Sequence, residues 1–258
     1  MATRIILLDK PKLKNPIFIE GLPGVGNVGR VAAGYLIEEL KAKKFAELIS
    51  SHFMPIVIVP QNSTVEMVKA EFFYWKNKSG KNDLIIMIGD SQSIDPEGHY
   101  EIVEEVIKFL KEIGVKEIFA LAGLNIGIIT EKPKVVGAVN DPKLEEKYKK
   151  YNIVFDTSKR VGTIVGAAGL FLGIAKYYGI PATCLMGETS GMPFLPDPKS
   201  SEAVLKVLTQ ILNIKIDTSK LEEEVKKMKE FMQKIEATQM QMFQSPTAKK
   251  EEGLTYIG

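Results

Sequence analysis

Short apolar segments rich in Ile, Val and Phe alternate along the chain with longer amphipathic segments. This order is typical of a sheet whose strands are interleaved with crossover helices. The pattern predicts strands at Ile5–Leu8, Ile17–Glu20, Glu47–Phe53, Ile56–Val59, Glu66–Tyr74, Leu84–Gly89, Glu117–Leu121, Val135–Val139 and Ala182–Met186. It predicts helices at Val28–Lys41, Tyr100–Ile113, Lys143–Lys150, Gly162–Tyr178, Ser200–Leu212 and Leu221–Phe243.

Three of these strands indicate how the sheet is organised. Leu84–Ile88 and Ile118–Leu121 are apolar at every position, as central strands covered by helices on both faces must be. Glu66–Tyr74 instead alternates charged and apolar positions and precedes the turn-rich segment Asn77–Gly80, which predicts a hairpin with the next strand. We therefore expect residues 1–216 to form an α/β core, with a mixed, largely parallel sheet and helices on both faces.

The C-terminal residues follow a different pattern. Ser219-Lys220-Leu221-Glu222 is a capping-box sequence that predicts a helix start, and apolar residues then recur at spacings of four and three. Residues 217–245 are therefore expected to form a helix with a heptad seam, which packs either on its own core or in a bundle with neighbouring subunits. The seam residues are Leu221, Val225, Met228, Met232 and Ile235. Residues 246–258 are charged and coreless, which predicts a flexible tail with an apolar, aromatic tip.

Composition and charge exclude several classes of function. A chain of 258 residues that is 45% hydrophobic can bury a full core as one domain. Lys and Arg number 34 against 32 Asp and Glu, and the signs alternate, so nucleic-acid binding is not expected. Cys184 is the single cysteine, and His52 and His99 are far apart, so neither a zinc site nor another cofactor is expected. No apolar segment reaches about 18 residues without a charge, so we expect a cytoplasmic protein without a membrane span.

Gly24, Gly26 and Gly29 spell G-x-G-x-x-G between a predicted strand and a predicted helix. One interpretation is a phosphate-binding turn, in which glycines let backbone N–H groups approach an anion at the helix N-terminus. Glu188, in a later loop, would then bind a sugar hydroxyl, and the chain would be a nucleotide- or nucleoside-binding enzyme or module. A second interpretation is a tight strand-to-helix turn with close packing, which needs the same glycines without a ligand. A third is an interaction surface. A P-loop is excluded because no Gly-Lys-Ser/Thr is present.

A polar loop, Asp90–His99, follows one of the central strands. One interpretation is an acid–base set at the edge where α/β folds place ligands, made by His99 with Glu97, Asp95 and Ser91. No nucleophile motif such as G-x-S-x-G accompanies them. We therefore expect this loop to cap the helix that follows.

Three motifs together resemble the archaeal homologues of the proteasome assembly chaperones. They are the turn Gly21–Gly29, the loop Gly187–Gly191 followed by Pro196-Asp197-Pro198, and a heptad helix that ends in a tyrosine-bearing tail. The resemblance covers nearly the whole chain. It implies a phosphorylase-like α/β core without catalysis and a homo-oligomer, a tetramer rather than a pentamer. It further implies an ATP-independent activator or assembly factor whose C-terminal segments dock on the α subunits of the 20S proteasome.

The same resemblance assigns the docking residues, which are Leu254, Tyr256, Ile257 and Gly258. In the family's docking mode a hydrophobic residue, a tyrosine and the final residue enter pockets between α-ring subunits. The terminal carboxylate meets a lysine there. Tyr256 of this chain is third from the end instead of second, which displaces the carboxylate by one residue.

Overall fold

The computed structural model describes residues 3–59, 64–78, 80–155, 162–191, 195–221 and 223. Within these residues helices separate groups of one to five consecutive strands. The strands are β1 (Arg4–Leu7), β2 (Ile17–Gly21), β3 (Lys43–Ile49), β4 (Val57–Ile58), β5 (Glu66–Met67), β6 (Ala70–Trp75), β7 (Leu84–Gly89), β8 (Glu117–Asn125), β9 (Val135–Val139), β10 (Ile153–Val154) and β11 (Ala182–Thr189). The helices with defined bounds are α1 (Val28–Leu40), α2 (Pro96–Ile113), α3 (Pro142–Tyr148), α4 (Ala167–Tyr177) and α5 (Pro198–Leu212).

Nine strands form one mixed sheet in the order β1-β3-β6-β7-β2-β8-β11-β9-β10. The four strands β7, β2, β8 and β11 are parallel and form its middle. An antiparallel set of β1, β3 and β6 extends one side, and β9 runs antiparallel to β11 on the other. The mixed α/β fold is therefore confirmed, as are the central position of β7 and β8, which flank β2, and the hairpin between β6 and β7.

Helices cover both faces of this sheet, and alternate residues of each strand point to opposite faces. Phe18 of β2 lies in the apolar cluster that α2 and α4 cover. Ile17 and Ile19 lie in the cluster that α1, α3 and α5 cover. A strand buried on both faces must be apolar at nearly every position, which is why the central strands were recognisable in the sequence. No helix in the described part of the chain is both long enough and apolar enough to cross a bilayer.

The strand predicted at Glu66–Tyr74 is two strands in two different sheets. β4 and β5 form a separate two-stranded sheet, and β6 belongs to the large one. Between β5 and β6 the backbone of Lys69 pairs with Asp90, whose carboxylate accepts from the Lys69 N–H at 3.1 Å. The Asp90 N–H in turn donates to the Lys69 carbonyl at 3.0 Å. These two bonds interrupt the strand at Lys69. The local pattern does not reveal that Asp90 is the partner of Lys69.

Several other predicted elements have different limits. α2 starts four residues before the predicted Tyr100, and β8 ends four residues after the predicted Leu121. β3 starts and ends four residues before the predicted strand Glu47–Phe53. The start of β3 was missed because its first residues are polar. Lys44 lies at the solvent face and bonds the carboxylates of Glu47 at 2.8 Å and Glu71 at 3.0 Å. α4 lacks the first residues of the predicted helix Gly162–Tyr178, because Gly166 has a φ of +87°, which a right-handed helix cannot include. The short strand β10 was not predicted.

The described chain ends at the start of the predicted C-terminal helix. Residues 219–221 are helical, so Ser219 lies inside the helix and is not the N-cap that its capping-box sequence predicts. The carboxylate of Asp217 accepts from the Ser219 N–H at 2.9 Å instead. Leu221 is buried in the cluster beneath α1 and α5, so the seam packs on its own core at this position.

The remaining seam residues and the tip residues lie outside the described part of the chain. The seam residues concerned are Val225, Met228, Met232 and Ile235, and the tip residues are Leu254, Tyr256, Ile257 and Gly258. The division of the chain at residues 216 and 245 stays a prediction.

Helix α1 lies very close to the sheet, and a glycine permits this. A Cβ atom at Gly29 would lie 2.1 Å from the carbonyl oxygen of Leu121 on β8, which is far inside contact distance. The helix therefore cannot keep its height above the sheet with any larger residue at this position. The same contact fixes the turn before α1 over the carboxyl end of β2.

Replacing Gly29 tests this contact, and Gly34 in the same helix supplies the control. Gly29→Ala should lower the free energy of unfolding by about 2 kcal/mol or more, because the added methyl group must displace backbone. Gly34→Ala should be neutral or stabilising by up to about 1 kcal/mol, since alanine is the better helix former. Its Cβ would meet only the end of the Arg30 side chain, at 3.2 Å. Urea denaturation measures both variants, and equal stabilities would contradict the close packing.

Candidate functional site

The carboxyl ends of β2, β7, β8 and β11 meet at one edge of the sheet, which we call the carboxyl edge. In α/β folds ligands bind at this edge, beyond the ends of the parallel strands. The glycine turn follows β2. The polar segment Asp90–His99 follows β7, although its last four residues belong to α2 and not to the predicted loop. Glu188 lies in β11, near its end, and not in the loop that the sequence predicted. The residues singled out from the sequence of the core therefore lie at the same edge.

The glycine turn is clamped between β11 and the start of α5. Gly26 has a φ of +60°, and a Cβ on it would lie 2.9 Å from the hydroxyl oxygen of Thr189. Its carbonyl accepts from the Asp197 N–H at 2.8 Å. Gly24 is more open, since the nearest atom to a Cβ there would be the Gln92 amide nitrogen at 3.7 Å. Packing alone thus requires glycine at Gly26 and Gly29, but not at Gly24.

Gln92 ties this turn to two helices, and the sequence analysis missed it. Its amide nitrogen donates to the Pro23 carbonyl at 2.5 Å. Its amide oxygen accepts from the Ala167 N–H at the start of α4, at 3.0 Å. The same oxygen lies 3.2 Å from Nε2 of His99 on α2. The only sequence signal was the position of Gln92 in a loop that follows a central strand.

Glu188 is held away from the glycine turn. Its carboxylate accepts from the Lys134 N–H at 3.0 Å, and its own N–H donates to the Lys134 carbonyl at 3.0 Å. The next residue, Thr189, is the one that contacts Gly26, and neighbouring strand residues point to opposite faces. A ligand role for Gly24, Gly26, Gly29 and Glu188 stays a prediction.

The polar loop after β7 caps the helix that follows it, as predicted. Asp95 is the N-cap of α2, and its carboxylate accepts from the Gly98 N–H at 2.7 Å. The same carboxylate lies 3.0 Å from Nδ1 of His52, whose Nε2 lies 3.3 Å from the carboxylate of Glu101. The hydrogen bond to Asp95 and that to Glu101 raise the pKa of His52. The backbone hydrogen bond from Gly98 and then the one with His52 lower the pKa of Asp95. These side chains hold the segment after β3 against the start of α2.

Glu20 is a buried acid in the middle of the sheet, and the sequence analysis did not single it out. It is 1% exposed, and Oε1 accepts from the Leu22 N–H at 2.7 Å. Oε2 has no hydrogen-bond partner among the described residues. Burial raises the pKa of Glu20 to about 8, so the carboxyl group is mostly protonated at neutral pH. The signal in the sequence was a single acidic residue in the otherwise apolar strand Ile17–Gly21.

Cys184 lies on the same face of the sheet as Glu20. Ala120 of β8 is in register with Glu20 on one side and with Cys184 on the other. Burial, and then the nearby acid, raise the pKa of the Cys184 thiol. A thiol that resists ionisation is a poor nucleophile, so Cys184 serves as a small buried residue of the core. In the described part of the chain, no three His, Cys, Asp or Glu residues are grouped so as to hold a metal ion.

A cleft of about 710 Å³ opens at the opposite edge of the sheet, near the starts of β2, β7 and β8. Its lining includes four lysines, Lys81, Lys116, Lys147 and Lys150, and one carboxylate, that of Glu117. Glu117 accepts from the Tyr148 hydroxyl at 2.5 Å and from the Lys147 ammonium at 2.8 Å. Burial and the bond to Glu117 raise the pKa of Tyr148. The cleft does not include any residue predicted as a site from the sequence.

Three comparisons relate the chain to known proteins. The sequence profile of the PAC2 family matches residues 18–236. An uncharacterized protein of Methanocaldococcus jannaschii is 40% identical over 252 residues, which is 97% of this chain and 95% of that protein.

Two solved structures are similar over most of their length. The first is Pyrococcus furiosus PbaB, an archaeal proteasome activator, which is 43% identical with a TM-score of 0.86. The match covers 91% of this chain and 99% of that one. The second is Pyrococcus furiosus PbaA, an archaeal homolog of proteasome-assembly chaperone, which is 26% identical with a TM-score of 0.73. That match covers 94% of this chain and 100% of the other. The resemblance drawn from the sequence motifs is confirmed.

The raised pKa of Glu20 predicts that the protein becomes less stable as the pH rises from about 4.5 to about 8. Between the ordinary pKa of 4.5 and about 8, the native chain keeps a proton that the unfolded chain releases. The free energy of unfolding should therefore fall by roughly 1.4 kcal/mol per pH unit across that window. Glu20→Gln has no proton to release and keeps an oxygen for the Leu22 N–H, so this fall should disappear. Urea denaturation of both proteins at pH 5, 7 and 9 measures it, and parallel pH profiles would show that Glu20 is ionised in the native state.

Proposed function

Since this chain belongs to the PAC2 family, we propose that it acts on the 20S proteasome in the cytoplasm, as an ATP-independent activator or assembly chaperone. The observation that carries the proposal is the likeness to PbaB, an archaeal proteasome activator, at 43% identity over 91% of the chain. Both similar Pyrococcus structures are described by a relation to the proteasome and not by an enzymatic reaction. The chain is proposed to be a binding protein without an active site of its own.

The C-terminal segment is the part that we propose to contact the proteasome. The core anchors its beginning at two points, since the Tyr35 hydroxyl donates to the Asp217 carbonyl at 2.9 Å and Leu221 is buried. A helix from Leu221 to Phe243 would extend about 33 Å from this anchor. The 15 residues that follow could span up to about 50 Å more when extended. A tip with this reach can meet a partner that the core itself does not touch.

The tip residues suit a shallow pocket on a protein surface. Leu254, Tyr256 and Ile257 supply apolar contact area, and Gly258 supplies the terminal carboxylate. Each tip alone is expected to bind weakly, because ordering a flexible segment costs entropy. In a homo-oligomer, proposed to be a tetramer, binding of the first tip makes later contacts intramolecular. This can strengthen the overall binding by about 100-fold or more.

Deleting Gly253–Gly258 should abolish association with purified 20S proteasome and any stimulation of its peptidase activity. The oligomeric mass and the melting temperature should not change, since the two core clusters are built from residues before 222. Tyr256→Ala should weaken binding about 10-fold or more, because it removes the one aromatic anchor of the tip. Thr255→Ala is the matched control in the same tail and should bind normally. Full association of the truncated protein would refute docking by the tail.

Removing Gly258 alone tests the register of the tip. It places Tyr256 second from the end, where the family's docking mode has its tyrosine, and restores the position of the carboxylate. The rate of fluorogenic peptide hydrolysis by the 20S proteasome should then rise above that with the intact chain. A lower rate would mean that this chain docks in its own register, with Ile257 and Gly258 both required.

A further inference from the structure

Strands β4 and β5 form an apolar arm that stands apart from the nine-stranded sheet. We define the apolar arm as residues 54–59 and 64–67. It leaves the core after β3 and returns to it before β6, at the carboxyl edge. Val57 pairs with Met67, and Ile58 pairs with Glu66, in antiparallel register. The two strands form a sheet of their own.

The arm exposes aliphatic side chains to an extent that is unusual for a folded surface. Seven of them are between 41% and 68% exposed: Met54, Ile56, Val57, Ile58, Val59, Val65 and Met67. Ile94, whose N–H donates to the His52 carbonyl beside the arm, is exposed as well. Glu66 is the one charged residue in the described arm, and Lys69 pairs with it at 3.3 Å.

The arm is held firmly at its base, although its own surface is uncovered. Phe53 and Val68, just before and just after it, are each 5% exposed and belong to the core. His52 is hydrogen-bonded to Asp95 and Glu101 of the neighbouring helix region. An isolated two-stranded hairpin is marginally stable in water at best, so this arm needs further contacts on its faces.

The exposed apolar area fits a contact between subunits. Seven aliphatic side chains about half exposed leave on the order of 500 Å² in water, near the upper end for the largest patch on a monomer. In a two-fold interface the same patch is buried on both subunits, so two arms together bury about 1,000 Å² or more. That is the area that a specific interface requires. An apolar centre depleted of charge is also the composition that homodimer interfaces have.

We propose that the apolar arm packs against the same arm of a second copy of this chain, about a two-fold axis. Two such patches can face each other without repulsion, because Glu66 is already paired with Lys69 within each subunit. This inference rests on the homo-oligomer of the proposed function and names the surface that holds it together. Subunit assembly and proteasome docking then belong to different parts of the chain.

The test replaces apolar residues of the arm with charged residues while keeping the hairpin. In full-length protein, Val57→Lys combined with Met67→Glu replaces a cross-strand pair on one face with opposite charges, which still favour the hairpin. The subunit dissociation constant should rise about 100-fold or more, seen as a smaller mass by light scattering and native mass spectrometry across a dilution series. Leu8→Lys is the matched control, since Leu8 is 54% exposed just after the edge strand β1, and this variant should leave the mass unchanged. Circular dichroism checks that each variant is folded.

A second variant tests the same interface if the variant with Val57→Lys and Met67→Glu does not fold. Cys184 is fully buried, so Val59→Cys introduces the one accessible thiol among the described residues. That thiol should resist maleimide at micromolar protein concentration and react after dilution to a dissociated state. Free reaction at all concentrations would overturn the proposal.

Other outcomes separate this inference from the proposed function. An unchanged mass of the charged variant, a monomeric wild-type chain, or equal dissociation by Leu8→Lys would each overturn the arm interface. A charged variant that keeps its mass but loses the 20S proteasome would show that the arm docks there instead. Failure of tail docking gives a different result. In that case the protein without Gly253–Gly258 still associates with the proteasome, whatever its oligomeric mass.

Discussion

The contact between Gly29 of α1 and the carbonyl of Leu121 on β8 sets the height of one helix above the centre of the sheet. That helix begins directly after the glycine turn, so its height also decides where the turn lies. Gln92 also fixes the glycine turn, because it joins the turn to the starts of α2 and α4. Asp197 fixes it to the start of α5. The N-termini of α1, α2, α4 and α5 therefore lie together at the carboxyl edge. Their arrangement depends on the close approach of Gly29 to the Leu121 carbonyl. The same helix contacts the beginning of the C-terminal segment, because the Tyr35 hydroxyl donates to the Asp217 carbonyl.

The sequence was most informative where a residue's role depends on burial alone. Leu84–Ile88 and Ile118–Leu121 could be recognised as central strands because both faces of each had to be apolar. The glycine turn was recognisable because a strand, three spaced glycines and a helix occur in order. The start of β3 and the break at Lys69 were not recognisable, since each depends on partners distant in sequence: Glu71 for Lys44, and Asp90 for Lys69. Local pattern carries no information about such partners.

The site residues show the same division. Capping by Asp95 follows from its place before a helix, and it was predicted. Glu20 and Gln92 were missed for opposite reasons. Glu20 is one acidic residue in an apolar strand, and its meaning depends on how completely neighbouring strands bury it. Gln92 is an ordinary loop residue whose importance comes from three separate segments that converge on its amide. The proposed function rests on the motif resemblance and on the likeness to PbaB.

Burial of Leu221 restricts how the C-terminal segment can move relative to the core. A segment whose first apolar residue is buried, and whose preceding carbonyl is hydrogen-bonded to Tyr35, cannot pivot freely where it leaves the core. If the predicted helix continues from there, the core fixes its direction at its first turn. A small rotation of the α1 and α5 face is magnified into a large sweep at the far end. Conversely, a pull on the far end is transmitted as torque to the helix that begins at the glycine turn.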